Sequence, residues 1–297
     1  MSALGRLWIG PSGWSYPDWN GIVYPLPQPR GFKPLRFLSR LFDAVEVNTS
    51  FYRVPTARMT AAWPQQTPPD FRFAFKLTKM FTHDRGAEID AAAIREFKEA
   101  LRPIRDAGKL GPLLIQFPWS FRFREENAAH VRRLADAFRE CDAVFEVRHA
   151  SWAGDEALQV LRACGGVCNV DQPALRDCLP PAAHVFGPTG YVRLHGRNAR
   201  TWFAEGLPPF ERYNYLYGDD ELREWVARIN AMRHAARDVY VFTNNHYRGQ
   251  GVANALELRF LLDGRRSPCP RQLLAAYPAL GTAALPPQQP ELFDTAG

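Results

Sequence analysis

The side chains most able to do chemistry stand at the ends of short, strand-like runs. Glu46 and Asn48 interrupt AVEVNTSFY, Lys76 follows FRFAF, Glu146 and Arg148 share AVFEVRHASW, and Asp171 closes GVCNVDQP. Arg193 and His195 share GYVRLHGR, and Asn244, Asn245 and His246 end VYVFTNNHY. These carboxylates, an imidazole, an amine and guanidiniums are the groups used to move protons and to steady negative charge as it develops. The candidate catalytic set is Glu46, Lys76, Glu146, Asp171 and His195. Glu146 or Asp171 would act as general base or metal ligand and His195 as acid, with Lys76 and Arg193 facing the developing charge.

The candidate substrate-binding residues are Trp14, Tyr52, Arg148, Arg193, Arg197, Asn244, Asn245 and Arg248, and of these Trp14, Tyr52, Arg197 and Arg248 belong to a second set, a rim of cations and flat rings. Such a rim suits a ligand with negative charge and a planar part, a nucleotide or a single-stranded nucleic acid, and sugar phosphates fit nearly as well. Tyr16, Trp19, Arg53, Lys79, Trp119, Trp152 and Trp202 extend it, with about half of its aromatics expected to pack beneath loops.

Residues so far apart can meet only if the fold gathers them. Successive side chains of a strand point to opposite faces. Glu46 and Asn48 therefore oppose Val45 and Val47, Glu146 and Arg148 oppose Phe145 and Val147, and Arg193 and His195 oppose Val192 and Leu194. The same split sets Lys76 against Phe75, and Asn169 and Asp171 against Val170. If the apolar set faces covering helices, the polar set points toward one shared opening.

The runs begin near Arg6, Ala44, Phe71, Gly111, Ala143, Gly166, Gly190 and Val239. Amphipathic stretches such as FKPLRFLSRLF, AAIREFKEALRPIRDAG, NAAHVRRLADAFREC, EALQVLRAC and DDELREWVARINAMRHAA lie between them. Strand and helix alternating in this way predict an α/β chain folded as a single (β/α)8 TIM-type barrel, with active groups at the C-terminal ends of its strands. Neither GxGxxG nor GxxxxGK[ST] follows the first strand, which argues against an open nucleotide-binding sheet. The barrel is assigned to residues 1–280 and a flexible tail to 281–297, with periodicity already fading from about Pro268. Segments 79–90 and 197–218 are longer than a simple barrel requires and are expected to cover the site.

Composition sets the outer limits. Of 297 residues 46% are hydrophobic and 23% charged, enough to bury a large core, and no window approaches the roughly 18 apolar residues of a membrane helix. With no signal-like N-terminus, a cytoplasmic protein is expected. Five scattered cysteines read as reduced thiols, and the formal charge of +6 is compatible with an anionic partner without demanding one.

The segments IGPSGWSYPDWNGIVYP, EVNTSFYRVP, FAFKLTK, LGPLLIQFP, FEVRHASW, YVRLHGR and FTNNHYRGQGVANALEL together resemble the YecE-like family, domain-of-unknown-function family 72, over nearly the whole chain. The resemblance implies a TIM barrel and no settled activity. In the tail, Gln289, Leu292 and Phe293 match the QxxLF peptide by which bacterial repair and replication proteins dock on the sliding clamp. Clamp binding is the partner reading for this segment.

Three function classes remain: an enzyme on nucleic acid or a nucleotide, of hydrolase or lyase type; an enzyme on a sugar phosphate or other organic anion; and a non-catalytic nucleic-acid adaptor. A divalent ion held by Glu46, Glu146, Asp171 and His195 is one reading of the donors, although no HxxxH demands zinc. Against all three stands a structural reading, in which acids and guanidiniums neutralise one another and plug the barrel.

Overall fold

A computed structural model of the chain describes residues 4–86 and 88–285. The strands are β1 Arg6–Pro11, β2 Ala44–Val47, β3 Arg72–Lys76, β4 Leu110–Gln116, β5 Ala143–Glu146, β6 Gly166–Asp171, β7 Thr189–Leu194 and β8 Asp238–Thr243. The helices are α1 Pro34–Leu38, α2 Thr49–Tyr52, α3 Ala57–Ala61, α4 Ala91–Asp106, α5 Glu125–Ala137, α6 Asp155–Cys164, α7 Asp219–Ala235, α8 Gln250–Asp263 and α9 Arg271–Ala276.

All strand pairs are parallel, and the sheet runs β1-β8-β7-β6-β5-β4-β3-β2. Its two edges meet at the Ser12–Glu46 bridge, where Gly13 N–H donates to the Glu46 carbonyl at 2.8 Å. At Gly10 a Cβ would fall 1.9 Å from the Ala44 carbonyl oxygen, so only glycine lets these edges approach. Eight parallel strands thus form a nearly closed barrel.

The two faces of each strand bury different things. Outward residues such as Val45, Phe73 and Phe75 pack with Phe97, Leu101 and Ile104 of α4, and Val239 and Val241 pack with Trp225 and Ile229 of α7. α4 starts cleanly because the Asp90 carboxylate accepts from Ala92 N–H at 2.7 Å and Ala93 N–H at 3.2 Å. Inside the barrel, Trp8, Tyr191, Tyr240 and Phe242 fill the space left by Ala44 and Ala74, with Leu114, Val144, Cys168 and Val170 completing the layer. The polar groups lie above this floor, toward the strands' C-terminal ends.

Two local departures from the expected pattern have clear causes. The link 172–188 between β6 and β7 contains no helix, and Pro173, Pro180, Pro181 and Pro188 explain why. After Pro268 the chain is more regular than its composition suggests: α9 buries Leu273, Ala284 bridges Ser267, and Ala283 and Ala284 are buried beyond the expected start of the tail. Gln289, Leu292 and Phe293 lie outside the described residues.

Candidate functional site at the barrel mouth

Arg193, at the end of β7, is the hub of the polar layer. Its Nη1 donates to Glu146 Oε2 at 2.7 Å and its Nη2 to Glu46 Oε1 at 2.6 Å, joining β2, β5 and β7 across the barrel. Glu46 also accepts from Ser12 Oγ at 2.8 Å and Tyr191 Oη at 2.7 Å, and Glu146 from Arg148 Nε at 2.7 Å. Both carboxylates are wholly buried, a placement that costs several kcal/mol per charge unless partners are supplied, and here they are. Burial alone would raise the Glu146 carboxyl, but Arg193 and then Arg148 outweigh it and hold it well below its ordinary value. Glu146 is therefore an ionised anchor, not a poised proton donor.

His195 lies beside them. Its Nε2 is 3.2 Å from Glu146 Oε1 and 3.2 Å from Arg148 Nη2, and its Nδ1 is 3.0 Å from Asn244 Nδ2. The amide of Asn48 donates to Asn244 Oδ1 at 3.4 Å, which directs the Asn244 amide nitrogen at the ring. Nδ1 then accepts, and the ring proton sits on Nε2 facing Glu146. Burial, then the Arg148 charge, depress the imidazole to about 3, so it is neutral at physiological pH. The expected acid role would need a protonated ring, and the neutral tautomer acts instead as a donor that orients Glu146.

Lys76, at the end of β3, differs from every other cation in the layer. Its Nζ lies 3.7 Å from the Phe51 ring centroid, and among the described residues it makes no hydrogen bond or ion pair. Burial and then the Arg193 guanidinium lower its amine from the ordinary 10.5 to about 7. The neighbouring Asn48 Oδ1 is buried without a partner. Over β7 the mouth is covered, since Trp202 is buried and its ring centroid, like that of Tyr213, lies 6.3 Å from the His195 ring. Over β2 and β3 it is open: Lys76 is partly exposed and Tyr52 is 75% exposed.

The structure thus gathers Glu46, Lys76, Glu146, Arg148, Arg193, His195 and Asn244 at one end of the barrel. Asp171 is not among them. It accepts from Tyr217 Oη at 2.8 Å, Arg197 Nη2 at 2.8 Å and the Trp225 indole of α7, behind the sheet. On β6 the inward residues are Cys168 and Val170, so the polar set points outward, where α7 and the 197–218 segment bring donors to it. Arg197 is consumed by Asp171, Glu221 and Glu224. Asn245 faces α8, donating to Asn254 Oδ1 and the Tyr215 carbonyl at 2.9 Å each.

Several rim residues also have structural roles. Trp14 packs edge-on against Trp63 at 5.2 Å, Trp19 and Trp152 are fully buried, and Lys79 pairs with Asp84 at 2.8 Å. Arg248 is exposed, in a left-handed conformation with φ 50°, and its backbone N–H donates to Asp18. Ser12 and Tyr191 are the site residues the sequence reading passed over. Tyr191 was within reach of it, being two positions before Arg193 and so on the same face.

The metal reading does not survive this geometry. Among the described residues no group of three or more His, Cys, Asp or Glu is arranged to hold an ion. Arg193 occupies the carboxylates, and Asp171 is on the other side of the sheet. A cavity of about 620 Å³ opens at the opposite pole, lined by Arg6, Trp8, Arg72, Asp142, Asp238 and Tyr240. It sits at the strands' N-terminal ends, the pole that serves stability rather than chemistry in this architecture. Among the described residues no helix is long and apolar enough to cross a membrane.

Comparison with known proteins agrees with the fold. The model of the family described as "Protein of unknown function DUF72" matches residues 8–276. UPF0759 protein YunF of Bacillus subtilis is 31% identical over 284 residues, covering 90% of this chain and 99% of that protein. A crystal structure of a DUF72 family protein from Thermotoga maritima superposes with a TM-score of 0.76 at 32% identity, covering 87% of this chain and 99% of the other. One from Enterococcus faecalis gives 0.77 at 24% identity, covering 87% and 96%.

Proposed function

Since the chain belongs to the DUF72 family of proteins of unknown function, its chemistry has to be read from its own site, and we propose that it is an enzyme acting on an anionic, ring-bearing substrate at the barrel mouth. A nucleotide or a nucleic-acid strand is the favoured substrate class, and the reaction a hydrolysis or a lyase step. The observation that carries this reading is Lys76, an amine without a carboxylate partner beside Asn48 on the open side of the mouth, next to exposed Tyr52. Unpaired positive charge beside an exposed ring is suited to a phosphate with a base attached. Glu46, Glu146 and Arg193 form the rigid floor, Arg148 and Lys76 meet the anion, and Asn244 holds the neutral tautomer of His195.

The narrowness of the opening favours a second reading, a small sugar phosphate, because Trp202 and Tyr213 cover the half of the mouth above His195. For the tail, we keep the sliding clamp as the proposed partner of Gln289, Leu292 and Phe293. Titration with single-stranded oligonucleotides at rising salt tests the main reading. Affinity that falls steeply with salt and drops at least tenfold in Lys76→Ala supports it. Affinity for small phosphates alone moves the assignment to the second reading. Binding that is unchanged by Lys76→Ala and by Glu146→Gln, with no turnover, identifies a non-catalytic adaptor that uses another surface.

A further inference from the structure

The sequence is sparing with lysine. Of its 37 basic residues only five are lysines, at positions 33, 76, 79, 98 and 109. The fixed cations of the mouth, Arg148 and Arg193, are arginines, which stay charged at any physiological pH. The third inward cation is an amine, which unlike a guanidinium can lose its proton and expose a lone pair.

The five lysines also differ in what they touch. Lys79 pairs with Asp84 at 2.8 Å and Lys98 with Glu140 at 2.6 Å. Lys109 donates to the Pro64 carbonyl at 2.8 Å and to the Thr67 carbonyl and hydroxyl at 2.9 Å each, and Lys33 is exposed. Lys76 alone points into the barrel mouth, its Nζ over the Phe51 ring and without hydrogen bond or counter-ion among the described residues. An aromatic face steadies an ammonium weakly and does nothing to hold its proton in place. Glu46 and Glu146, the acids that could pair with it, are already bridged by Arg193.

From this placement we infer that Lys76 is a covalent nucleophile, forming an imine with the aldehyde or ketone carbon of a phosphorylated sugar. The inference rests on the anion-binding reading above. The Nζ lone pair attacks the carbonyl carbon and a C–N bond forms. The carbonyl π pair moves to oxygen, which takes one proton from the nitrogen by way of solvent. The resulting carbinolamine loses that oxygen as water, which carries away the second N–H proton, and the C=N bond is complete. No oxidant or reductant is consumed. Arg148 and the unpartnered Asn48 Oδ1 remain to bind the phosphate and a sugar hydroxyl. The lowered amine, with about half its population neutral near pH 7, makes the attack feasible without a separate base.

The substrate carbonyl has two sources, a free sugar phosphate or the aldehyde of an abasic site within an oligonucleotide, and reductive trapping distinguishes them. The intact protein is incubated with glyceraldehyde 3-phosphate, with an oligonucleotide carrying one abasic site, or with propionaldehyde as the uncharged control, each with cyanoborohydride. Peptide mass spectrometry then locates the adduct. The expected result is labelling of Lys76 at least tenfold faster than of Lys33 with a phosphorylated aldehyde, a preference absent with propionaldehyde and lost in Lys76→Arg and Lys76→Gln. The labelling rate rises with pH to a plateau just above pH 7, set by burial and then by Arg193 and Arg148 and opposed by Glu146 and Glu46, with the neutral ring of His83 edge-on to Phe51 at 4.9 Å. The faster of the two phosphorylated probes names the source. Equal labelling of Lys76 and Lys33, or a Lys76 rate that follows propionaldehyde, overturns the inference. If oligonucleotide binding still depends on Lys76 in that case, the anion-binding reading stands without it.

Discussion

Replacing Arg193 with methionine removes the side chain that, among the described residues, bridges Glu46 and Glu146. Methionine keeps much of the aliphatic stem, so the loss is mainly one of charge. Glu46 would retain Ser12 and Tyr191 as donors, and Glu146 would retain Arg148 and the His195 ring proton. Two buried carboxylates would then lack their common counter-ion, and removing one partner of a buried pair costs about 3–5 kcal/mol. An upper bound comes from the escape route, protonation of one acid. With an unfolded-state value near 4.3 and about 1.36 kcal/mol per pH unit, that route costs about 3.7 kcal/mol at pH 7 and about 1 kcal/mol at pH 5. The predicted destabilisation is therefore about 3 kcal/mol at pH 7 and at most about 3.7 kcal/mol, shrinking toward about 1 kcal/mol or less at pH 5.

The sign of that trend follows from both states. In the wild-type protein the depressed Glu146 carboxyl contributes stability above its ordinary value, and this is lost as pH falls. In the variant the raised carboxyl keeps a proton that the unfolded chain has released, so acidification lowers its penalty. Urea unfolding at both pH values, with unchanged slope, measures the difference. The double variant Arg193→Met with Glu46→Gln should recover at least half of the loss at pH 7. A single-variant cost below about 1 kcal/mol at pH 7, or one independent of pH, would refute the description of the layer as an ionised, mutually dependent network.

Lys76→Met should stabilise the fold by about 1–3 kcal/mol at pH 6, after allowance for the partial exposure of the amine. A lysine depressed to about 7 burdens the folded state below that pH, and the burden fades as pH rises toward the ordinary 10.5, so the gain should vanish by pH 10 in the same unfolding assay. Asp171→Asn should cost about 2–4 kcal/mol through its contacts with Arg197, Tyr217 and Trp225, yet leave the rate of aldehyde trapping at Lys76 unchanged. Calorimetry with the bacterial sliding clamp should show binding by the full chain that is lost in Leu292→Ala with Phe293→Ala, while thermal unfolding of the barrel is unaffected.

What could be read from the sequence, and what could not, divides along a physical line. The barrel was legible because each strand is a run of β-branched and aromatic residues with turn residues at its ends, and alternation with helices leaves few topologies. Glu46, Glu146, Arg193 and His195 were legible as members of one inward polar layer because period-2 geometry fixes their face once their neighbours are apolar. The same rule misplaced Asp171, since it takes the apolar face to be the one that meets the helices. On β6 the helix side is polar: Trp225 and Tyr217 carry donors into the outer layer, while Cys168 and Val170 serve as barrel core. A strand's own sequence has no sign of what a helix fifty residues later will offer it. The pairing of Arg197 with Asp171 was hidden in the same way, as was the packed path of residues 267–285.

The charges of the inward layer separate its members by role. Two guanidiniums, Arg148 and Arg193, meet two carboxylates, Glu46 and Glu146, and the sum is zero. A neutral, ion-paired cluster, in which only the Arg193 Nε among the described atoms of these four side chains is buried without a partner, resists change, because moving any member leaves a buried charge alone. That makes the four a poor acid–base pair and a good frame. His195 belongs to the frame too, its proton directed at Glu146 and its ring neutral. On the reading proposed above, chemistry comes from a group the frame does not hold. Lys76 shares the floor with the cluster and has no partner in it among the described residues, and burial, joined by the field of Arg193, keeps its amine easily deprotonated. The Arg193 charge adds to burial in lowering the amine, so loss of Arg193 should raise the lysine's proton affinity and, on the covalent reading proposed above, slow its labelling near neutral pH.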